Sequence, residues 1–181
     1  MPSIVDKFPG NPPMKTQMLQ TGAQVCLTIL TIATTLAATW LVLTDKQTIE
    51  IFGIKIDARY SYSPAFKFFA FANVIACGFS ALSLLTFFVI CRQGSKPNSH
   101  FFLFLHDLLM MALVLAGCAA ATAIGYVGQY GNSHIGWLPI CDHFGKFCHK
   151  LICSIALSFV SVLFLLSLTI MSAVRSRHIQ V

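Results

Sequence analysis

Four long blocks of hydrophobic residues, separated by charged and polar segments, dominate the hydropathy pattern of this chain. They span residues 23–43, 68–90, 101–127 and 151–174. Each block is close to the roughly 20 apolar residues that an α-helix needs to cross about 30 Å of hydrocarbon. The strict alternation of a membrane β-strand is absent, and a helix satisfies its backbone hydrogen bonds within itself. The pattern therefore predicts an all-α integral membrane protein with a bundle of four transmembrane helices.

The segments outside these blocks define the predicted domain organisation. Residues 1–22 contain four of the seven prolines and few large apolar side chains, a composition typical of disorder. We therefore predict a disordered N-terminal tail at 1–22, a transmembrane domain at 23–174 and a short C-terminal tail at 175–181. Four crossings place both tails on the same side of the membrane. The link between the second and third blocks is short, so these two spans should be neighbours.

Composition excludes a soluble domain and disfavours a nucleic-acid-binding protein. Hydrophobic residues make up 56% of the 181 residues and charged residues only 10%, which is more apolar surface than a soluble fold buries. The formal net charge is +6, but the basic residues are spread over separate segments at the block boundaries, so no basic patch forms. We therefore predict membrane lipids as partners of these basic residues, and no nucleic acid.

Two cysteines between the third and fourth blocks determine the predicted orientation. The lysines and arginines are equal in number on the two sides, so the positive-inside rule does not choose between them. Cys141 and Cys148 have a spacing that a disulfide can close, which places their loop in the oxidising exterior and both termini in the cytosol. We expect the closed loop to brace Trp137 and Phe144 against the exterior membrane surface.

Two alternatives compete with this pairing. Cys153 is a second candidate for the disulfide, although it lies inside the fourth block, where oxidants reach poorly. Cys141 and Cys148 also form a group of four soft ligands with His143 and His149, yet the paired Cys-x-x-Cys of many zinc sites is absent. Glycine-rich phosphate loops and catalytic motifs are absent as well. We therefore predict no metal, no cofactor and no enzyme activity.

Polar and small residues mark one face on each of two predicted helices. In the first block, polar side chains recur at intervals of three and four: Gln24, Thr28, Thr31, Thr35 and Thr39. In the third block, small residues recur at intervals of four: Gly117, Ala121 and Gly125. Residues at these intervals share one side of a helix, and small side chains let helix backbones approach closely. Both faces are therefore predicted to pack against other helices.

Asp107 is the one acidic residue within the four blocks. A carboxylate at the centre of a membrane helix costs roughly 2.5–3.5 kcal/mol on insertion scales, so it should face the bundle. We expect Asp107 to hydrogen-bond Gln24 and Thr28, which lie at a comparable depth in the first span, and to be neutral much of the time. His106 projects about 100° away around the helix and is expected to be a poor partner. The alternative role of Asp107 is in an ion or proton relay.

Four short segments carry a recognisable pattern: TDKQT at 44–48, SPAFKFF at 63–69, GWLPIC at 136–141 and FGKFC at 144–148. They resemble the plant CASP-like proteins, relatives of the Casparian strip membrane domain proteins, and most closely their group 1. The likeness extends over about residues 23–174. It implies a MARVEL-like four-helix bundle in the plant plasma membrane, with cytosolic termini. The family usually has an arginine in the first span, whereas counting back from Lys46 puts Thr28 at that position.

The resemblance implies a non-enzymatic scaffold. Founding members of the family self-associate into stable membrane platforms and recruit partners that modify the adjacent cell wall, so homo- or hetero-oligomers with related four-span proteins are expected. The alternative is a small channel or transporter subunit, with Asp107 and the polar face of the first span on a path through the bundle. No proline interrupts any block, whereas transporters often bind substrate at broken helices.

Overall fold

The computed structural model describes residues 14–51, 53–93 and 97–180. Within these ranges the chain forms four long α-helices, one β-hairpin and two short 3₁₀ turns. The helices and strands are α1 (Met14–Leu43), β1 (Lys46–Ile51), β2 (Ile54–Arg59), α2 (Pro64–Gln93), α3 (Pro97–Tyr130) and α4 (Gly145–Gln180). Residues 1–13 and 181 of the predicted tails lie outside the described residues. Residues 14–22 and 175–180, which composition assigns to the tails, are helical and extend α1 and α4.

Each long helix contains a segment that is apolar and long enough to cross a membrane. These segments are Met18–Leu43, Pro64–Val89, Phe102–Tyr130 and Gly145–Val174. The prediction of an all-α fold with four transmembrane helices is confirmed. The segments differ from the hydrophobic blocks at their ends because helical hydrogen bonding continues through charged residues. Lys67, for example, comes directly before the block 68–90 but lies inside α2. Lys146 likewise precedes the block 151–174 but lies inside α4.

The four helices form a ring in chain order. α1 packs mainly against α2 and α4, and α3 packs mainly against the same two helices, so α1 and α3 lie on a diagonal of the bundle. α2 and α3 are neighbours, as the short link between them predicts. Neighbouring helices run antiparallel, which gives the bundle two distinct ends. The hairpin end carries β1, β2 and the loop 131–144, and the terminal end carries Met14, Gln93, Pro97 and Gln180.

A β-hairpin follows α1 at the hairpin end. β1 and β2 pair in antiparallel register, with Lys46 opposite Arg59. Gly53 in the turn has φ 79°, a left-handed conformation that glycine adopts without steric cost. Ile49 and Ala58 pack against the core of the bundle. The hydropathy blocks do not reveal this element, because its few apolar residues are interleaved with charged and polar ones in strands of only 6 residues.

Two of the three small residues of α3 that were predicted to pack are packed, and one of them lies in the α2–α3 contact. A Cβ on Gly117 would lie 3.1 Å from Cβ of Ala72 and 3.3 Å from Cα of Phe69, so this glycine permits the close approach. Ala121 is fully buried. The prediction is wrong for Gly125, because no atom of a neighbouring element lies within 4 Å of its Cβ position. Residues eight apart are rotated by about 80° around an α-helix, which turns Gly125 away from α2.

Candidate functional site

Polar side chains from all four helices are buried inside the bundle. This polar interior consists of Thr28, Thr31, Thr35, Thr39, Asn73, Ser80, Asp107, Ser154, Ser158, Ser161, Thr169 and Ser172. Most of these side chains are small, so the helices approach closely around them. Polar groups buried in a membrane protein need protein partners, because the surrounding hydrocarbon supplies none. The hydrogen bonds of these groups therefore indicate what the polar interior is built to do.

The threonines of α1 use their own helix as a hydrogen-bond partner. The hydroxyl of Thr31 donates to the carbonyl oxygen of Leu27 at 2.9 Å, and the hydroxyl of Thr35 donates to that of Thr31 at 2.7 Å. Thr28 and Thr39 make the same bond to the residue four positions earlier. Such bonds let a hydroxyl lie against a neighbouring helix without an unsatisfied donor. The four threonines of the polar face predicted on the first span are therefore buried against protein with their hydroxyl donors bonded, whereas Gln24 of that face is only half-buried.

Helix α4 bonds to each of the other three helices through a serine. Ser154 Oγ donates to a backbone carbonyl oxygen of α1 at 2.7 Å. Ser158 Oγ donates to Oδ1 of Asn73 on α2 at 2.9 Å, and Ser172 Oγ donates to Oδ2 of Asp107 on α3 at 3.3 Å. Sequence reasoning missed this serine set, although its members recur at the helical intervals that identified the threonines of α1. α4 is thus the element that ties the bundle together.

Asp107 lies inside the bundle, as the free-energy cost of a carboxylate in lipid predicts. Its hydrogen bond to another helix goes to α4 and not to α1. Oδ2 accepts the hydrogen bond from Ser172, and Oδ1 lies 3.2 Å from Nδ1 of His106. The predicted contact with Gln24 and Thr28 is not among the described contacts of Asp107. The physical reason is the order of the ring: α1 and α3 are diagonal, so comparable depth in the membrane does not bring their side chains together.

His106 is paired with Asp107, so the prediction that it is a poor partner is wrong. An angle of about 100° separates the Cα–Cβ directions of successive helical residues, yet the two side chains bend toward each other beyond Cβ. The ring of His106 also lies against Phe79 of α2, with ring centroids 5.9 Å apart, and its Nε2 is buried without a described hydrogen-bond partner. The base beside the carboxyl therefore comes from α3 itself.

The group formed by Ser172, His106 and Asp107 does not have the arrangement of a hydrolytic triad. In such a triad the histidine takes the proton of the serine, and the carboxylate orients the histidine. Here the serine donates to the carboxyl, so the imidazole does not activate the hydroxyl. Among the described residues, no group of three or more His, Cys, Asp or Glu side chains is placed to hold a metal ion. The arrangement holds a carboxyl in place between two helices.

The loop before α4 contains the second set of predicted residues. The disulfide between Cys141 and Cys148 is present in the structure, and Cys153 carries a free thiol. Phe144 is buried in the core of the bundle, whereas Trp137 is 57% exposed. The two aromatic residues that were expected to share one environment therefore have different roles. Phe144 anchors the loop in the bundle, and Trp137 borders the outer surface.

The sequence profile of the Casparian strip membrane protein domain matches residues 17–164 of this chain. The chain belongs to this family. It is 56% identical to CASP-like protein 1F1 of Vitis vinifera, over 100% of this chain and 88% of that protein. It is 55% identical to CASP-like protein 1F2 of Populus trichocarpa over 100% of both, and 37% identical to CASP-like protein 1F1 of Arabidopsis thaliana over 91% of this chain and 95% of that protein. No solved structure matches.

Membership of the Casparian strip membrane protein family confirms the resemblance seen in the sequence and identifies the chain as a multi-pass membrane protein. Part of the family pattern, at 44–48, joins α1 to the hairpin. Oε1 of Gln47 accepts a hydrogen bond from the backbone N–H of Phe147 at 2.9 Å, which satisfies one of the free donors in the first turn of α4.

Asp45, in the same segment, is buried, and its Oδ2 has no described hydrogen-bond partner. Burial raises the pKa of Asp45 from 3.8 to about 6, against the opposing positive charge of Lys150.

Removing the carboxyl of Asp107 should weaken the contact between α3 and α4. Asp107→Asn keeps an oxygen acceptor for Ser172, so its free energy of unfolding should stay within about 1 kcal/mol of the parent value. Asp107→Leu leaves Ser172 and His106 without their partner and should lower the free energy of unfolding by about 1–2 kcal/mol. Thermal unfolding in a mild detergent measures both variants.

Two serine variants provide the matched control for this prediction. Ser172→Ala removes the donor to Asp107, whereas Ser167→Ala removes an exposed hydroxyl that bonds a carbonyl of its own helix at 2.9 Å. Ser172→Ala should lower the unfolding temperature more than Ser167→Ala. Equal effects of the two serine variants, or an Asn variant as unstable as the Leu variant, would contradict a stabilising role of this hydrogen bond.

Proposed function

We propose that this chain is a non-enzymatic plasma-membrane scaffold that self-associates into membrane platforms and recruits partner proteins. The observation that carries the proposal is the packed polar interior. Thr31, Thr35, Ser154 and Ser158 are fully buried, and their hydroxyls donate to protein oxygens. A bundle whose central hydroxyls are packed and bonded to protein oxygens is a fixed structural unit. Its contacts with other molecules are then made by its outer faces and its two ends.

Aromatic side chains on the outer face of α2 support self-association. Those exposed on the single chain include Phe68, Phe71, Phe79 and Phe88. Helices in a bilayer associate by van der Waals packing of complementary surfaces, and aromatic rings supply large contact areas. The proposed partners in the membrane are further copies of this chain or related four-span proteins, which gives homo- or hetero-oligomers.

The hairpin end is proposed to face the exterior of the plasma membrane, with both termini in the cytosol. The disulfide between Cys141 and Cys148 at this end supports the orientation, because disulfides persist in oxidising compartments. The hairpin also exposes charged side chains of both signs: Lys46, Glu50, Lys55 and Arg59. Under this orientation, the hairpin end is the surface that recruits proteins which modify the cell wall.

Photobleaching of the fluorescently tagged full chain in a plant plasma membrane tests the scaffold. We expect recovery to be much slower than that of a monomeric four-span marker in the same membrane, because assembled copies diffuse together. Two differently tagged copies should also co-purify in mild detergent. Recovery as fast as the marker, together with a monomer in detergent, would overturn the proposed self-association.

The alternative function, a small channel or transporter subunit, requires a polar path past Asp107. The described side chains along that path are packed and bonded to one another, which favours the scaffold. Reconstituted vesicles separate the two functions. The scaffold predicts no ion flux above that of empty vesicles. A flux that Asp107→Asn abolishes while oligomers persist would establish the channel instead.

A further inference from the structure

A groove with a volume of about 790 Å³ opens on the side of the bundle between α3 and α4. It lies in the half of the bundle nearer the hairpin end, where the last turns of α3 face the first turns of α4. Most of its lining comes from α3, the loop before α4 and α4 itself, and α2 contributes Phe66. The lining includes Gly125 and Gln129 of α3, Trp137 of the loop, and Ile152, Ala156 and Phe159 of α4. The proposed scaffold function does not use this groove.

The lining of the groove is apolar and contains no charged side chain. Thr122, one of its few polar residues, already donates its hydroxyl to the Cys118 carbonyl at 2.7 Å. Gln129 lies in the last turn of α3, at the rim of the groove toward the hairpin end. This lining fits a molecule whose uncharged, apolar part lies inside the groove and whose polar part lies at the rim. A charged group placed inside would lose its hydration without gaining a partner.

The depth of the groove determines which molecules can reach it. Both helical walls belong to segments that are apolar and long enough to cross a membrane, Phe102–Tyr130 and Gly145–Val174. The open side of the groove therefore faces hydrocarbon, and the neighbouring molecules are bilayer lipids. Trp137 lines the outer part of the groove and is 57% exposed. Tryptophan favours the level of the lipid headgroups, which places the rim at that level.

Small residues keep the groove open. No atom lies within 4 Å of the position that a Cβ of Gly125 would take, and Ala156 faces the same space from α4. The volume falls within the range of roughly 300–1,000 Å³ that is typical of small-molecule sites. A groove that is already formed accepts a flexible chain without a cost for rearranging the helices.

We infer that this groove binds an acyl chain of a bilayer lipid from the leaflet at the hairpin end, with the lipid headgroup at the rim beside Gln129 and Trp137. The neutral lining selects the uncharged chain, and the depth selects a molecule dissolved in the bilayer. The bound chain contacts α3 and α4 together and so fills the gap between them. This inference stands on the groove alone and does not depend on self-association.

A photoreactive lipid tests the inference. The full chain is reconstituted into phosphatidylcholine vesicles that contain a small fraction of phosphatidylcholine with a diazirine in one acyl chain. After irradiation, labelled residues are mapped by mass spectrometry. We expect the label to concentrate on the residues that line the groove, above its level on the exposed outer face of α2. Gly125→Leu should lower groove labelling by about tenfold, because the new side chain occupies the space of the lipid chain.

Matched variants make this result specific. Gly78 also has no atom within 4 Å of its Cβ position, but it lies on α2 outside the groove, so Gly78→Leu should leave groove labelling unchanged. Ala156→Leu fills the groove from α4 and should lower labelling as Gly125→Leu does, which covers the case in which one variant fails to fold. Both variants should keep the parent unfolding temperature within the spread of the Gly78 control.

Three results would overturn the inference. The first is labelling that follows exposure evenly around the bundle and is unchanged by Gly125→Leu and Ala156→Leu. The second is cross-linking between two copies of the chain through groove residues, which would assign the groove to a protein partner. The third is labelling by a diazirine sterol but not by the phosphatidylcholine probe in the same vesicles, which would assign it to a rigid ring system.

Discussion

Asp45→Asn is expected to raise the stability of the protein at pH 7 and to flatten its dependence on pH in the acidic range. Asp45 is 2% exposed, and burial raises the pKa of its carboxyl from 3.8 to about 6. A difference of about two pKa units between the folded and unfolded chain changes the free energy of unfolding by on the order of 2–3 kcal/mol. An uncharged amide at this position avoids the desolvation of a carboxylate and should recover much of that free energy at pH 7.

The direction of the pH effect follows from proton binding in the two states. Because the pKa of Asp45 is higher in the folded chain, the folded chain binds more protons than the unfolded chain between about pH 4 and 6. The stabilising contribution is therefore complete below about pH 4 and is lost as the pH rises to about 6. Thermal unfolding in detergent across this range should show the loss in the parent and not in Asp45→Asn.

Two further variants test the cause of this pH dependence. Asp142 is an exposed carboxyl in the loop before α4, so Asp142→Asn is the matched control and should keep the parent profile. Lys150→Met removes the positive charge that favours ionised Asp45, so the loss of stability should extend to higher pH. That shift should vanish when Asp45→Asn is also present. An identical pH profile in the parent and in Asp45→Asn would show that burial of Asp45 does not control stability.

The number of spans and the helical fold were predictable because both depend on local sequence. A block such as 68–90 is apolar over the whole thickness of a bilayer, and no tertiary information is needed to recognise it. The burial of Asp107 was predictable for the same reason, since a carboxylate in lipid is costly wherever the neighbouring helices lie. Its partners were not predictable in this way. The bond from Ser172 depends on which helices are adjacent in the ring, and hydropathy contains no such information. The pairing with His106 depends on how two neighbouring side chains of α3 are oriented beyond Cβ.

Other features of the site left signals in the sequence that a search for hydrophobic blocks passes over. The serines of α4 at 154, 158 and 161 recur at intervals of four and three, as the threonines of α1 do, and this spacing identifies a buried face. The hairpin alternates apolar and polar residues around Gly53, which is a strand-and-turn signal. The rotation of Gly125 away from α2 follows from helix geometry, because a row of residues spaced by four drifts around the helix.

The described contacts give α4 a separate attachment at each end of the bundle. At the terminal end Ser172 bonds Asp107 of α3, and in the centre Ser158 bonds Asn73 of α2. At the hairpin end the side chain of Gln47 caps Phe147. Since α4 also forms one wall of the lipid groove, changes at the hairpin end should alter both the stability of the bundle and the shape of that wall.

Removing the disulfide at this end is the second change with a large expected effect. Serine at both Cys141 and Cys148 should lower the free energy of unfolding by about 2 kcal/mol, because the sequence separation of 7 closes a small loop that the unfolded chain would otherwise leave free. The N–H of Ile140 still donates to the Gly128 carbonyl at 2.8 Å, so the loop should loosen without detaching. Hydrogen exchange should therefore quicken at residues 140–148 and stay unchanged in α1 and α2.

Cys153→Ser is the matched control for the loss of the disulfide. Cys153 carries a free thiol on the same helix, and its Sγ lies 3.9 Å from Nδ1 of His149. This substitution should change the free energy of unfolding by less than about 0.5 kcal/mol, as for most surface positions. A free thiol at only one of positions 141 and 148 in a non-reduced sample, with Cys153 protected, would show that Cys153 replaces that cysteine in the bridge. A double serine variant as stable as the parent would instead show that Phe144, buried in the core, holds the loop without the disulfide.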